Sequence, residues 1–283
     1  MDRVTELALT AERREELIGL LGDEPRLRLE YPKVAEYFNV AAAMPQPAEA
    51  QAVAAFDFDL RFLHFMTGGT AVSANPYWDI VAPSVSLRVG RRVVDGGTAE
   101  GSAQLAYAQL ILQAAYSYAI PSPETLAWVA GFCDGRPVVE VGAGRGYWAA
   151  QLSGAGLAVD AFELEPPDRA ENVSFPRIPG QADVWHFVAA LDGLRIASRA
   201  GCVLFLCWPP GWGNTMASEI LDAFEGAGGE RLVYVGEPPG GRTGDDAFFD
   251  ALSARWELSS SDPSFVSWWN LADQAQGWIR IRG

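Results

Sequence analysis

Residues 138–148, VVEVGAGRGYW, set Gly142, Gly144 and Gly146 two apart, directly after a run of strand formers. Glycines in that position permit a tight turn and let backbone amides approach a ligand closely before the next helix begins, which suits a nucleotide-like cofactor. Two familiar versions of such a loop do not fit. A dinucleotide fingerprint needs a third glycine at 147, where Tyr147 stands, and a phosphate-cradling loop ends in Gly-Lys-Ser/Thr, while Lys33 is the one lysine of the chain. Two acids frame the turn. Glu140 precedes it, and Glu163 closes LAVDAFE 21 residues beyond Gly142, near the roughly 20-residue interval that sets a strand-end acid at a ribose. A second stretch invites chemistry as well: LFLCWPPGW, 204–212, runs from buried-strand residues into Trp208, Pro209 and Pro210.

Over residues 121–283 the pattern E-x-G-x-G-x-G, with its following strand-end acid, resembles the class I S-adenosylmethionine-dependent methyltransferases. The resemblance implies S-adenosylmethionine as cofactor and S-adenosylhomocysteine as product. It implies that Glu140, Gly142, Gly144 and Gly146 carry the methionine portion and that Glu163 grips both ribose hydroxyls. It also implies an adenine-contacting acid after a third strand, read at RIPGQ. Gln181 holds the usual place, which leaves Asp183 as the candidate, with a helix N-cap as its other reading.

By strand count LFLCWPPG closes the fourth strand, where the family sets the acceptor beside the sulfonium methyl. The segment resembles the Asn/Asp-Pro-Pro-Tyr signature of nitrogen methyltransferases, whose first side chain accepts a hydrogen bond from the amino group. Trp208 cannot, because indole only donates, and Gly211 replaces the terminal aromatic. Methylation of exocyclic or amide nitrogens is therefore disfavoured. With Pro209 stiffening the loop, Trp208 offers a face that stacks on a flat substrate and attracts a sulfonium by about 1 kcal/mol; its other reading is a plug at the sheet's edge. NPYW, 75–78, mimics the nitrogen signature but precedes the cofactor region, so only Tyr77 and Trp78 are carried forward, as pocket-lining rings. Glu237, after the fifth strand, and His186 are the candidate proton acceptors; His186 and His64 also read as satisfied core histidines.

The chain is similar, more weakly, to bacterial indole C3-methyltransferases of pyrroloindoline alkaloid formation. That likeness implies a small indole-like acceptor methylated at carbon, since indole C3 is already a nucleophile. An N- or O-methyltransferase of a small amine, phenol or peptide is the alternative, and an S-adenosylmethionine-binding partner protein without turnover is the second.

The elements that must position these residues fall into two parts. Residues 1–120 read as a mainly helical cap that closes the crevice and excludes water: helices over 10–22, 31–43, 47–66 and 99–120, with a hairpin at 85–94. Thr10 is an N-cap, and Pro47 opens the third of these helices. Residues 121–283 alternate strand and helix patterns, which predicts a doubly wound, Rossmann-like α/β domain with a seven-stranded sheet. In it Ser122 caps a helix ending at Gly135, helices follow through 154, near 184–191, 214–226 and 244–254, and WELSSS with GWIRIR close the sheet as an antiparallel pair.

Composition limits the partners. A formal net charge of −15 repels polyanions, so a nucleic-acid substrate is not expected. Three cysteines without paired spacing predict neither a metal site nor a disulfide framework, and no apolar run is long enough for a membrane span. The charged start MDRVTELALTAERREEL is not a secretory signal, so the expected location is the cytoplasm. Ten tryptophans suit a flat or cationic small molecule, and a homodimer is left open.

Overall fold

The structure is a computed structural model that describes residues 7–44, 49–98, 101–169 and 172–281. The chain forms two compact units. The first comprises the chain through Ala115, with Pro176–Asp183 and Trp268–Asn270; the second comprises Tyr116–Phe175, Val184–Ser267 and Leu271 to the end.

In the first unit α1 (Ala11–Gly22), α2 (Glu24–Glu30), α3 (Pro32–Ala43), α4 (Glu49–Met66) and α5 (Pro76–Val81) precede a hairpin of β1 (Val85–Arg88) and β2 (Arg91–Val94), and α6 (Ala103–Ala115) follows it. Thr10 caps α1 by accepting from the Arg13 amide at 3.1 Å. The unexpected α2 has its own start signal: Asp23 accepts from the Arg26 amide at 3.0 Å, with a proline in the first turn. Pro47 and the first residues of the expected helix at 99–120 lie outside the described residues, and α6 ends earlier than 120. His64 is a core residue. Its Nδ1 accepts from Arg13 Nε at 3.1 Å, and burial, then the Arg13 charge, lowers its pKa to about 4, so the ring is neutral.

The second unit opens with α7 (Pro123–Cys133), capped by Ser122 as expected, and then alternates β3 (Val138–Val141), α8 (Tyr147–Gly154), β4 (Val159–Glu163), β5 (Val188–Ala190), β6 (Val203–Cys207), α9 (Met216–Gly226), β7 (Arg231–Gly236) and α10 (Asp246–Arg255). It closes with β8 (Trp256–Ser261) and β10 (Gln274–Arg280); the short strand β9 (Val266–Trp268) falls between them in sequence. The helix expected near 184–191 is absent: its centre is the short strand β5.

The sheet is seven-stranded and doubly wound, in the order β5-β4-β3-β6-β7-β10-β8. β5 through β7 are parallel, and β10 runs antiparallel to both β7 and β8, the closing pair read from the sequence. Helices cover both faces, so strand residues are buried in either direction. Val139, Val141, Leu204 and Leu206 pack with Leu221 and Phe224 of α9 and Phe248 of α10. Val138, Val203 and Phe205 point the other way, onto Val129 of α7 and Trp148 and Leu152 of α8. From β3 the chain winds outward to β4 and β5, and from β6 it winds the other way, so the switch point lies between β3 and β6. Ligands of such sheets bind at the carboxyl ends of the strands there. Val141 and Cys207 are those ends, which puts the glycine turn and Trp208 at the crevice.

The three cysteines are free, with Cys133 and Cys202 buried. Among the described residues no helix is long and apolar enough to cross a membrane.

Glu225 ties the far edge together. Its carboxylate accepts from the buried Trp256 indole at 2.6 Å and from Arg255 Nε at 2.7 Å. Glu225→Ala strands a buried N–H and should lower unfolding free energy by about 1 to 3 kcal/mol in urea titration; an unchanged midpoint would show that water replaces the carboxylate.

Candidate functional site

The turn after β3 has the backbone its sequence requires. Gly142, Gly144 and Gly146 have φ of +78°, +54° and +77°. At Gly144 a Cβ would also come within 2.8 Å of the Phe175 ring, so both conformation and space demand glycine. The amides of Gly142 and Ala143 donate to the Phe162 carbonyl at 2.9 and 3.1 Å, and that of Gly144 donates to Glu163 Oε2 at 2.8 Å. The other Glu163 oxygen accepts from the Leu164 amide at 2.8 Å. The glycine turn and the strand-end acid, 19 residues apart in sequence, are thus one hydrogen-bonded piece.

Beside it a cleft of about 570 Å³ opens at the carboxyl ends of three parallel strands. Val141, Leu164, Leu191, Ile196 and Met216 give it apolar walls, with Asn214 and Glu219 among its polar residues. Leu164 is 75% exposed, a large apolar side chain at the lip that a flat base would cover. The fit to a nucleoside is chemical: apolar walls for a base, and a carboxylate with acceptor capacity beyond its two amides for a cis-diol. Glu140 is buried in β3, and its Oε2 has no hydrogen-bond partner among the described residues. Burial, then the Glu163 charge, pushes its pKa up to about 8 against the offset of the Ala149 amide. Below that pH the buried acid keeps its proton and carries no charge.

The acid expected after the third strand is displaced. Asp183 lies before β5, in the segment that packs with the first unit, where it is exposed and paired with Arg177 at 3.7 Å. The strand is Val188–Ala190, so the acid beyond its end is Asp192, next to the cleft residue Leu191. An apolar Phe187–Leu191 run followed by Asp was the available signal.

The Trp-Pro-Pro segment is strained and braced. Trp208 has φ +52°, a left-handed conformation that costs a bulky residue about 1 to 3 kcal/mol. Its amide donates to the Val235 carbonyl at 2.7 Å and its indole Nε1 to Asp273 Oδ2 at 3.1 Å. The ring stacks on Tyr118 with centroids 5.3 Å apart and planes 14° from parallel, and the Arg242 guanidinium lies 5.8 Å from its centroid. Buried Pro209 accepts from the Gly244 amide at 3.0 Å. Tyr118, Arg242 and Asp273 carried no signal in the sequence, since each becomes relevant only through this packing.

Glu237 is where the sequence put it, at the carboxyl end of β7, but it is built for another task. Its buried carboxylate accepts from the Arg242 amide at 2.8 Å, Arg242 Nε at 3.2 Å, an Arg242 terminal nitrogen at 3.0 Å and the Ala272 amide at 3.3 Å. Burial alone would raise its pKa; the Arg242 side chain and the two amides outweigh it and hold it below the usual value. A carboxylate so held is a poor proton acceptor, and it aims Arg242 at Trp208 instead. His186, the other candidate proton acceptor, lies two residues before β5. Its half-exposed ring donates from Nδ1 to the Phe187 carbonyl at 2.8 Å, which leaves Nε2 as acceptor, and its carbonyl oxygen is 2.8 Å from where a Gly146 Cβ would stand.

Tyr77 and Trp78 belong to the first unit. Tyr77 is fully buried, and its hydroxyl accepts from the Trp268 indole at 3.0 Å, so its ring is core rather than pocket lining. Trp78 lies under the Arg92 guanidinium, 5.8 Å from its centroid. NPYW is a helix start: Asn75 accepts from the Trp78 amide at 3.2 Å, with proline in the first turn of α5. Asp245 stands at the N-cap position of α10, yet its Oδ1 accepts from the Ser218 amide of α9, at 3.2 Å.

No protein-family model and no curated protein matches the chain. Among solved structures it is similar to the CcbJ methyltransferase from Streptomyces caelestis, at 16% identity over 56% of this chain and 89% of that one, with a TM-score of 0.36. Magnesium protoporphyrin IX methyltransferase (ChlM) from Synechocystis PCC 6803 with bound SAH is similar at 14% identity over 55% of this chain and 80% of that one, TM-score 0.31. A mutant of MtNAS is similar at 11% identity over 97% of this chain and all of that one, TM-score 0.34. At these identities and TM-scores none of them bears on what this chain binds, which rests on its own residues.

The buried Glu140 sets a pH dependence. Between the ordinary carboxylate pKa of the unfolded chain and about 8, the unfolded state is ionised while the folded state keeps its proton. Folding then takes up a proton, so stability falls as pH rises through that window and levels off above it. Glu140→Gln should remove this component, visible as a flatter difference in melting temperature between pH 5 and 9; parallel profiles for both proteins would contradict a protonated Glu140.

Proposed function

We propose that this chain is a methyltransferase that uses S-adenosylmethionine and acts on a small indole-like aromatic at carbon C3. The observation that carries the cofactor half is the clasp of Gly144 by Glu163 beside an apolar cleft at the switch point of the sheet. When bound, S-adenosylmethionine supplies an electrophilic methyl group on sulfur. Glu163 holds the ribose hydroxyls with the acceptor positions its amide partners leave open, and Leu164 and Leu191 flank the base. Glu140 lies one strand over, an acceptor for the amino acid end of the cofactor.

The acceptor half rests on the side chain that replaces a nitrogen aligner. Trp208 commits its N–H to Asp273 and offers no lone pair, so its side chain cannot orient an amine. Carbon methylation does not need that alignment. An indole C3 forms the new C–C bond with its own π electrons as the S–C bond breaks, and the ring then gives up its N–H proton. His186 Nε2 is the base on this reading, in place of Glu237, which Arg242 keeps ionised and occupied. Help of this kind is worth about 100- to 10,000-fold. Holding the acceptor in line with the methyl supplies most of the remainder.

Glu163→Ala removes the ribose clamp and should weaken S-adenosylmethionine binding by roughly 2 to 4 kcal/mol in calorimetry; unchanged affinity rules out the assigned cofactor site. The acceptor is tested with tryptamine-like indoles and labelled S-adenosylmethionine, with mass spectrometry and NMR of the product. A methyl at C3 is expected. A methyl found only on nitrogen or oxygen supports the N- or O-methyltransferase reading, and tight cofactor binding without turnover on any acceptor supports a binding protein.

A further inference from the structure

The first unit has a pocket of its own, about 700 Å³ in volume, lined by α1, α3, α4 and the residues before α1. Its walls include Leu17, Ile18 and Leu21 of α1, Phe38 of α3, and Phe56 and Leu63 of α4. Ile18, Leu21 and Phe56 are 64%, 52% and 69% exposed, so apolar surface that folding leaves uncovered continues onto the rim.

Two carboxylates also line the pocket, and they differ. Asp57 is paired with Arg61 Nε at 3.1 Å. Asp59 has one oxygen engaged: Oδ1 accepts from the Tyr37 hydroxyl at 2.5 Å and from Gln104 Nε2 at 3.0 Å, while Gln104 also donates to the Tyr37 oxygen at 2.8 Å. Side chains from α3 and α6 thus fix this α4 carboxylate by one atom and, among the described residues, leave Oδ2 without a hydrogen-bond donor. Burial raises the Asp59 pKa, and the Tyr37 and Gln104 hydrogen bonds counter it. A half-buried carboxylate with an open oxygen among aliphatic and aromatic walls has room to receive a cation.

We propose that this pocket binds an apolar amine, its ammonium on Asp59 Oδ2 and its hydrocarbon part against Ile18, Leu21, Phe38 and Phe56. Aromatic walls favour a cation as well as a chain. Arg14, the other charged lining residue, is solvent-exposed on α1. The site does not depend on methyl transfer, and its test does not use it.

Calorimetry of the full chain with octylamine, 1-octanol and octanoate, all below their aggregation concentrations, isolates the charge. Octylamine is expected to bind one site per chain, roughly tenfold or more tightly than octanol, and octanoate more weakly than either. Asp59→Asn keeps the shape and an acceptor for Tyr37, and should bring octylamine and octanol to the same affinity. Ile18→Trp, at an exposed wall position, should weaken both by filling the pocket, a readout that survives if Asp59→Asn does not fold. Octanol binding as tightly as octylamine overturns the proposal. So does octanoate binding most tightly, which would make Arg14 the anchor. A dimer in sedimentation that Ile18→Trp dissociates also overturns it, because a second copy would then be the occupant.

Discussion

The hydrogen bonds from the amides of Gly144 and Leu164 to Glu163 fix the geometry of the crevice. They are available because β3 and β4 are parallel with Val141 opposite Phe162, so the two strands end level. Level ends let the Phe162 carbonyl take two loop amides and put the next residue's carboxylate under a third. The three left-handed glycines follow from that constraint, as does the orientation of α8, which starts where the turn ends. A register shift of one residue between β3 and β4 would point Glu163 to the opposite face and dissolve the site.

The other side of the switch point is held by charge and strain together. Trp208 adopts a backbone conformation that bulky residues rarely occupy, and its amide, its indole N–H and its ring each have a partner that stabilises it there. Glu237 fixes Arg242, which lies over the ring, and Asp273 receives the indole N–H and the Ser267 hydroxyl. The segment after β6 is thus an aromatic ring held by its own hydrogen bonds and stacking partners. Strain retained at such a place is a reason to look for function there.

Most of the frame was legible because each signal was local. The glycine turn, the Thr10 and Ser122 caps and the hairpin around Gly90 depend on residues within a few positions of one another, and the closing antiparallel pair was read from two strand patterns with no helix between them. β5 was not legible: VWHFVAALDGL is apolar at both helical and strand spacing, and only pairing with β4 decides for a strand. That error moved the acid beyond the third strand from Asp192 to Asp183. Glu237 was found by position but misjudged in chemistry, because nothing in GEPPGGR says that the arginine folds back five residues onto the acid. Tyr77, carried forward as a pocket-lining ring, is core because its hydroxyl pairs with the Trp268 indole, a contact nothing in NPYW announces.

The most direct measurement is a crystal structure of the chain with S-adenosylhomocysteine, read at one carboxylate. A nucleoside whose ribose hydroxyls lie within hydrogen-bonding distance of Glu163, its base between Leu164 and Leu191, is the predicted result. A ligand bound elsewhere, with Glu163 still closed on Gly144 and Leu164 alone, would contradict the assignment of this crevice as the cofactor site.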